Sequence, residues 1–185
     1  MNPQVSKLIS SKVSLAPMAG ITDYVLRTMV RKYSSDCLLT TEMISSEALT
    51  QVKDVVITKR DDNHSPISYQ LSGHKPEMIA NCAKYLEQFA DMIDINMGCP
   101  VKKVTVGNDG CALMRDYSLA YEIVKAVKEQ VSIPVSQTSG AYPNITSPTG
   151  ITSDRFGNIF VSSFSENTIY KITPDGKKML FYKSP

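Results

Sequence analysis

The residues best suited to chemistry lie in DINMGCPVKK, residues 94–103, where an apolar run ends in Gly98-Cys99-Pro100 and two lysines follow. Gly98 admits backbone angles that other residues resist, and Pro100 biases Cys99 toward an extended conformation. A thiol framed this way points in a defined direction beyond a strand end, a framing that a packing cysteine does not need. Other polar residues stand in comparable places. Glu42 falls late in an apolar run with Ser45, Ser46 and Glu47 behind it, Gln70 precedes Ser72 and Gly73, and Asn96 lies just before Cys99. A carboxylate, two amides and a thiol on one rim fit a ligand with many hydrogen-bonding edges. They fit a bare metal ion poorly, because His64 and His74 are the only imidazoles, and no metal centre is expected.

Placing these groups together requires a particular order of elements. Short apolar runs at 13–18, 37–43, 66–71, 92–97 and 133–136 read as strands, and the stretches between them carry helical spacing. Leu26, Met29, Val30 and Tyr33 share one face behind a cap at Thr22 or Asp23. Met78, Cys82, Leu86 and Phe89 share another behind Pro76, and Leu119, Ile123, Val127 and Val131 a third behind Asp116 or Ser118. Strand and helix in alternation predict parallel βαβ units, whose binding groups gather at the C-terminal ends of the strands. The first run ends in Pro17-Met18-Ala19-Gly20, which lets a flat ligand approach the backbone. Cys37 and Cys82 read as packed and Cys111 as core or site lining. His64, after Asp61-Asp62-Asn63, reads as an exposed loop residue.

Beyond residue 136 the pattern changes. Residues 137–147 mix Gly, Pro, Ser, Thr and Asn without periodicity, as a linker does. Residues 148–185 hold short β-prone runs between tight turns, with Asp175-Gly176 the clearest hairpin signal. The 185 residues, 42% hydrophobic and 21% charged, suffice for a real core. A net charge of +2 exerts no global pull on nucleic acid, so any basic patch is local. No apolar run approaches the ~18 residues of a membrane span. Four cysteines without a CxxC pair point to a reduced, cytoplasmic setting.

LAPMAGITD at 15–23, EMISSEAL at 42–49, YQLSG at 69–73 and DINMGCPVKKV at 94–104 occur together and in order. In this combination the chain resembles the tRNA-dihydrouridine synthase family of flavoproteins over residues 8–136. The resemblance implies a (β/α)8 barrel holding FMN, with a helical domain behind it. It also implies reduction of the uridine 5,6 double bond in tRNA, with NADPH reducing the flavin first. Carried over, Pro17, Met18 and Ala19 contact FMN largely through backbone, and Gln70 hydrogen-bonds the flavin ring. Cys99 protonates uracil C5 after hydride reaches C6. Asn96, Lys102 and Lys103 fall on the substrate side, the lysines toward the RNA backbone.

The family continues its fifth strand with a lysine that contacts FMN, whereas this chain reads Gln137-Thr138-Ser139-Gly140. The expected architecture is therefore α/β: a partial (β/α)8 TIM-barrel of about five parallel strands over residues 1–136, a linker over 137–147, and a small antiparallel β-meander over 148–185. The stretch 148–182 resembles a single blade of an NHL or SMP-30-type β-propeller. Two other readings stand beside the flavoenzyme. An FMN barrel oxidoreductase acting on a small substrate fits APMAG but fits DINMGCPVKKV poorly. A non-catalytic α/β-plus-blade protein would act through homo-oligomerisation or partner binding at open strand edges.

Overall fold

The computed structural model describes residues 8, 13–51, 58–138, 148–153, 159–163, 166–173 and 177–183. They fall into two compact units, residues 1–138 and 139–185. The first alternates helix and strand: α1 (Tyr24–Tyr33), β1 (Leu39–Ser45), α2 (Ser46–Gln51), β2 (Ile67–Ser72), α3 (Pro76–Leu86), β3 (Met92–Asn96), α4 (Lys102–Thr105), α5 (Tyr117–Gln130) and β4 (Val135–Thr138). The strands lie in the order β1-β2-β3-β4 and all pairings are parallel. Every C-terminal strand end therefore opens on one rim. The register sets Gln70 opposite Asp94, Asp94 opposite Ser136, and Asn96 opposite Thr138.

The run 13–18, expected as a strand, is reduced to one parallel bridge between Ser14 and Leu38. Leu15 N–H donates to Leu38 O at 2.8 Å and Leu38 N–H to Val13 O at 3.2 Å. Pairing stops there for a local reason. Pro17 has no N–H to give, and both backbone groups of Met18 are taken by Thr22. Among the described residues the sheet thus has four strands and a bridge in place of five strands. At the other end β4 runs to Thr138, two residues past the expected limit. Residues 139–147 of the expected linker lie outside the described residues.

Alternation sorts the strand residues onto two faces. Ile67, Tyr69, Leu71, Ile93 and Ile95 are fully buried and join one apolar cluster with Ile79, Ala83 and Leu86 of α3 and Ile123 and Val127 of α5. Ser68, Gln70, Ser72, Asp94 and Asn96 fall on the opposite face and are buried as well. The helices behind this cluster start where expected. Pro76 opens α3, and Asp116 caps α5 by accepting from Leu119 N–H at 3.0 Å.

Helix α1 differs from its expected face. Asp23 does cap it, accepting from Leu26 N–H at 2.9 Å, but Met29 and Tyr33 are exposed while Arg27 and Arg31 are buried. Each guanidinium satisfies backbone carbonyls that no apolar side chain can serve. Arg27 donates to Thr22 O at 2.7 Å and Lys59 O at 2.9 Å. Arg31 donates to Ser34 O at 3.0 Å, His64 O at 2.8 Å and Pro66 O at 3.2 Å. His64, expected in the open, is also fully buried, with Nε2 3.0 Å from Thr28 Oγ1.

The second unit holds β5 (Pro148–Ser153), β6 (Ile159–Ser163), β7 (Thr168–Ile172) and β8 (Lys178–Lys183). Each strand pairs antiparallel with the one before it, which is the expected meander. The Asp175-Gly176 signal lies outside the described residues, between β7 and β8, where Thr173 N–H donates to Lys177 O at 3.0 Å.

Candidate active site

The end of β3 is organised by Asn96. Its Oδ1 accepts Cys99 N–H at 3.0 Å and Gly98 N–H at 3.3 Å, a side-chain-closed turn of the kind Asn favours. Its Nδ2 donates to Gln70 Oε1 at 2.9 Å, and Gln70 Nε2 donates in turn to Asp94 Oδ2 at 2.7 Å. Asp94 Oδ1 accepts from Ser136 Oγ at 2.7 Å. The bonds cross β4, β3 and β2 at the level the register sets. Gln70, Asp94 and Asn96 are 0%, 4% and 7% exposed, so these bonds form in a low-dielectric interior where they are strong and costly to lose.

The Cys99 turn is braced from its other side by a 3-10 turn, Gly110–Arg115. Cys111 N–H donates to Cys99 O at 3.0 Å. Gly110, at φ +61, approaches so closely that a Cβ there would lie 2.5 Å from Cys99 O. The loop leading to it is pinned as well, with His74 Nδ1 2.8 Å from Asp109 Oδ1. Cys99 itself is half-buried. Lys102 and Lys103 follow at once on α4 and are both exposed.

A second loop reaches the rim beside β1. Met18 N–H donates to Thr22 Oγ1 at 3.0 Å, and Met18 O accepts from Ile21 and Thr22 N–H at 3.0 and 2.9 Å. Gly20, at φ +74, donates its N–H to Glu42 Oε1 at 2.5 Å. Glu42 thereby fastens the loop to the strand, while Pro17 is half-buried and Met18 and Ala19 are exposed.

One hydrogen-bonded series therefore joins Gln70, Asn96 and Cys99, with Lys102 and Lys103 next in sequence. Pro17, Met18 and Ala19 enter separately, through Glu42. Two members of the series escaped sequence reasoning, Asp94 and Ser136. The signal for Asp94 was present, because residues two apart on a strand share a face and Asp94 stands two before Asn96. The other cysteines differ from Cys99. Burial pushes the Cys37 and Cys82 thiols up, consistent with packing, and Cys111 is half-buried. Among the described residues no three His, Cys, Asp or Glu side chains are grouped to hold a metal ion. No described helix is long and apolar enough to cross a membrane.

Comparison with known proteins bears on the same residues. The family model described as dihydrouridine synthase (Dus) matches residues 14–139. The chain is 38% identical over 133 residues to probable tRNA-dihydrouridine synthase 1 of Synechocystis, covering 71% of this chain and 38% of that protein. It is 40% identical over 132 residues to a probable tRNA-dihydrouridine synthase of Rickettsia bellii, covering 69% and 40%. With tRNA-dihydrouridine(20/20a) synthase of Salmonella typhi it shares 37% over 134 residues, covering 72% and 40%. The chain thus spans about two-fifths of the length of the curated relatives it matches. The matched segment contains all four motifs, the hydrogen-bonded series and the Cys99 turn, and it stops before the first antiparallel strand. The chain belongs to the dihydrouridine synthase family.

Proposed function

We propose that residues 1–138 form the acid-bearing part of a flavin-dependent reductase that converts uridine in tRNA to 5,6-dihydrouridine. The observation that carries this reading is the Cys99 turn, held on one side by Asn96 and on the other by Gly110 and Cys111, within a segment that matches the family. A thiol carried on a backbone held at both its N–H and its carbonyl is preorganised to deliver a proton to one atom of a bound base.

Part of the rim suits the ring of FMN, because Met18 and Ala19 are exposed there beside Pro17. Gln70, expected on the ring, is fully buried with Oε1 given to Asn96 and Nε2 to Asp94, and would support the ring only through that series. Beside Met18 and Ala19, bound FMN reduced by NADPH would supply the hydride for C6 of the uracil. The chain's own groups do the rest. Cys99 Sγ–H gives its proton to C5, which saturates the former double bond. Lys102 and Lys103, exposed beside the turn, meet phosphates of a strand whose target base is turned out of its stack. Asn96 was expected to touch substrate directly. Buried, with its amide given to Gln70 and to the Cys99 turn, it acts on substrate through Cys99 instead.

A cytoplasmic setting agrees with a tRNA substrate. The family match ends at residue 139 and lends no support to the propeller-blade likeness expected for residues 148–182. The test begins with visible absorption of the purified chain after excess FMN is added and the unbound fraction removed. Retained flavin colour is expected. Cys99→Ala should keep that colour and lower uridine reduction by about a hundredfold or more. A chain that stays colourless in FMN, or full turnover by Cys99→Ala, rejects the reading.

A further inference from the structure

We infer that Asp94 is a positioning residue for Cys99, because it holds from the far end the direction of the hydrogen-bond relay that ends on the Cys99 amide. The relay itself is a matter of donors and acceptors, and only its consequence for catalysis rests on the proposed acid role of Cys99. At one end stand two backbone N–H groups, Gly98 and Cys99, which can only donate. Asn96 must therefore present Oδ1 to them, and its Nδ2 faces Gln70. Gln70 must answer with Oε1, which leaves its Nε2 facing Asp94.

At this point the relay needs an acceptor, and Asp94 is one at both oxygens. It takes Gln70 Nε2 on Oδ2 and Ser136 Oγ on Oδ1, each at 2.7 Å. A carboxylate offers no proton in return, so neither amide can turn over without setting donor against donor or acceptor against acceptor. Burial of all three side chains leaves a reversed amide without compensating solvent. An amide at position 94 would lift the constraint at that end, since it can accept from Gln70 or donate to it, and would leave the Gly98 and Cys99 N–H groups alone to hold the direction. In the reversed direction Asn96 Nδ2 would meet the Cys99 N–H, and the turn would lose its tie.

The first arm of the test uses the unaltered chain, labelled with nitrogen-15 and carbon-13. A through-hydrogen-bond coupling from the Asn96 side-chain carbonyl carbon to the Cys99 amide nitrogen is expected, as is one from the Gln70 side-chain carbonyl carbon to Asn96 Nδ2. Absence of either overturns the proposal without recourse to a variant. The second arm follows hydrogen exchange at the Cys99 amide. Asp94→Asn should accelerate it about five- to tenfold, the amount expected for one weakened hydrogen bond.

The double variant Asp94→Asn with Gln70→Glu moves the carboxylate to position 70, where it accepts from position 94 and from Asn96 Nδ2. Direction is restored, and Cys99 exchange should return toward that of the unaltered chain. A purely structural Asp94 would leave the double variant at least as perturbed as the single one. Unchanged exchange in Asp94→Asn, or no recovery in the double variant, overturns the proposal. Neither FMN nor tRNA enters these measurements. An intact relay beside failed flavin and uridine assays would reject the proposed function alone, and a missing relay beside an active enzyme would reject this inference alone.

Discussion

Gly110 shows how much of the site depends on single backbone positions. Its φ of +61 is costly for a side-chain-bearing residue, and a Cβ would also press on Cys99 O and Cys99 Cβ. Gly110→Ala should destabilise the first unit by about 2 kcal/mol in urea unfolding. An unchanged midpoint would mean the turn yields freely. His64 is a second residue-scale case. Burial pulls it below the ordinary histidine value of 6.5, the Arg27, Arg31 and Arg60 charges push the same way, and Asp61 opposes them. As pH falls below about 6.5 the unfolded chain takes up the proton first, so this contribution to stability is whole above that pH and declines below it. Unfolding midpoints should fall between pH ~7 and ~5, and His64→Gln should flatten that decline. An equal slope in the variant would assign the effect to other groups.

At the scale of elements, strands and helices are joined by side chains that bridge their ends. Glu87, just past α3, accepts from Ser132 N–H at 2.5 Å and Ser132 Oγ at 2.6 Å, and from Lys84 Nζ at 2.7 Å. It so ties the end of α3 to the approach to β4. The Lys84 and Ser132 hydrogen bonds hold its carboxyl down at about 2. The stabilisation is present above the ordinary carboxylate value of 4.5 and is lost as pH falls toward 2. Glu87→Gln should cost about 1 kcal/mol at neutral pH after solvent screening. The deficit should close in acid, and a deficit independent of pH would place the effect elsewhere. Arg27 and Arg31 make the same point on α1, where cationic side chains carry the inward face because loop carbonyls need donors.

For the molecule as a whole, the first unit is a parallel sheet with ends still to be accounted for. Among the described residues β4 is paired on one side only, and β1 meets just the Ser14 bridge beyond it. Parallel sheets ordinarily have their edges closed or covered, and an unpaired edge is a template for another chain. We expect association through these edges. Sedimentation velocity between about 10 and 500 µM, a span in which weak pairing becomes visible, should show species heavier than the 20.4 kDa chain. A single species of that mass at every concentration would set the oligomer reading aside.

Local spacing in the sequence determined a good deal. The strand–helix alternation, a cap at Thr22 or Asp23, another at Asp116 or Ser118 and the Pro76 helix start all depend on neighbours a few residues apart; the structure keeps each and chooses Asp23 and Asp116 as the caps. The four motifs, in order, likewise led to the family. Only the tertiary structure decided which groups face one another across the sheet. The burial of Arg27, Arg31 and His64 was set by carbonyls and hydroxyls of distant segments. The Ser136–Asp94–Gln70–Asn96 relay was set by strand register. A donor's partner across strands is fixed by through-space geometry, which no interval along the chain encodes on its own.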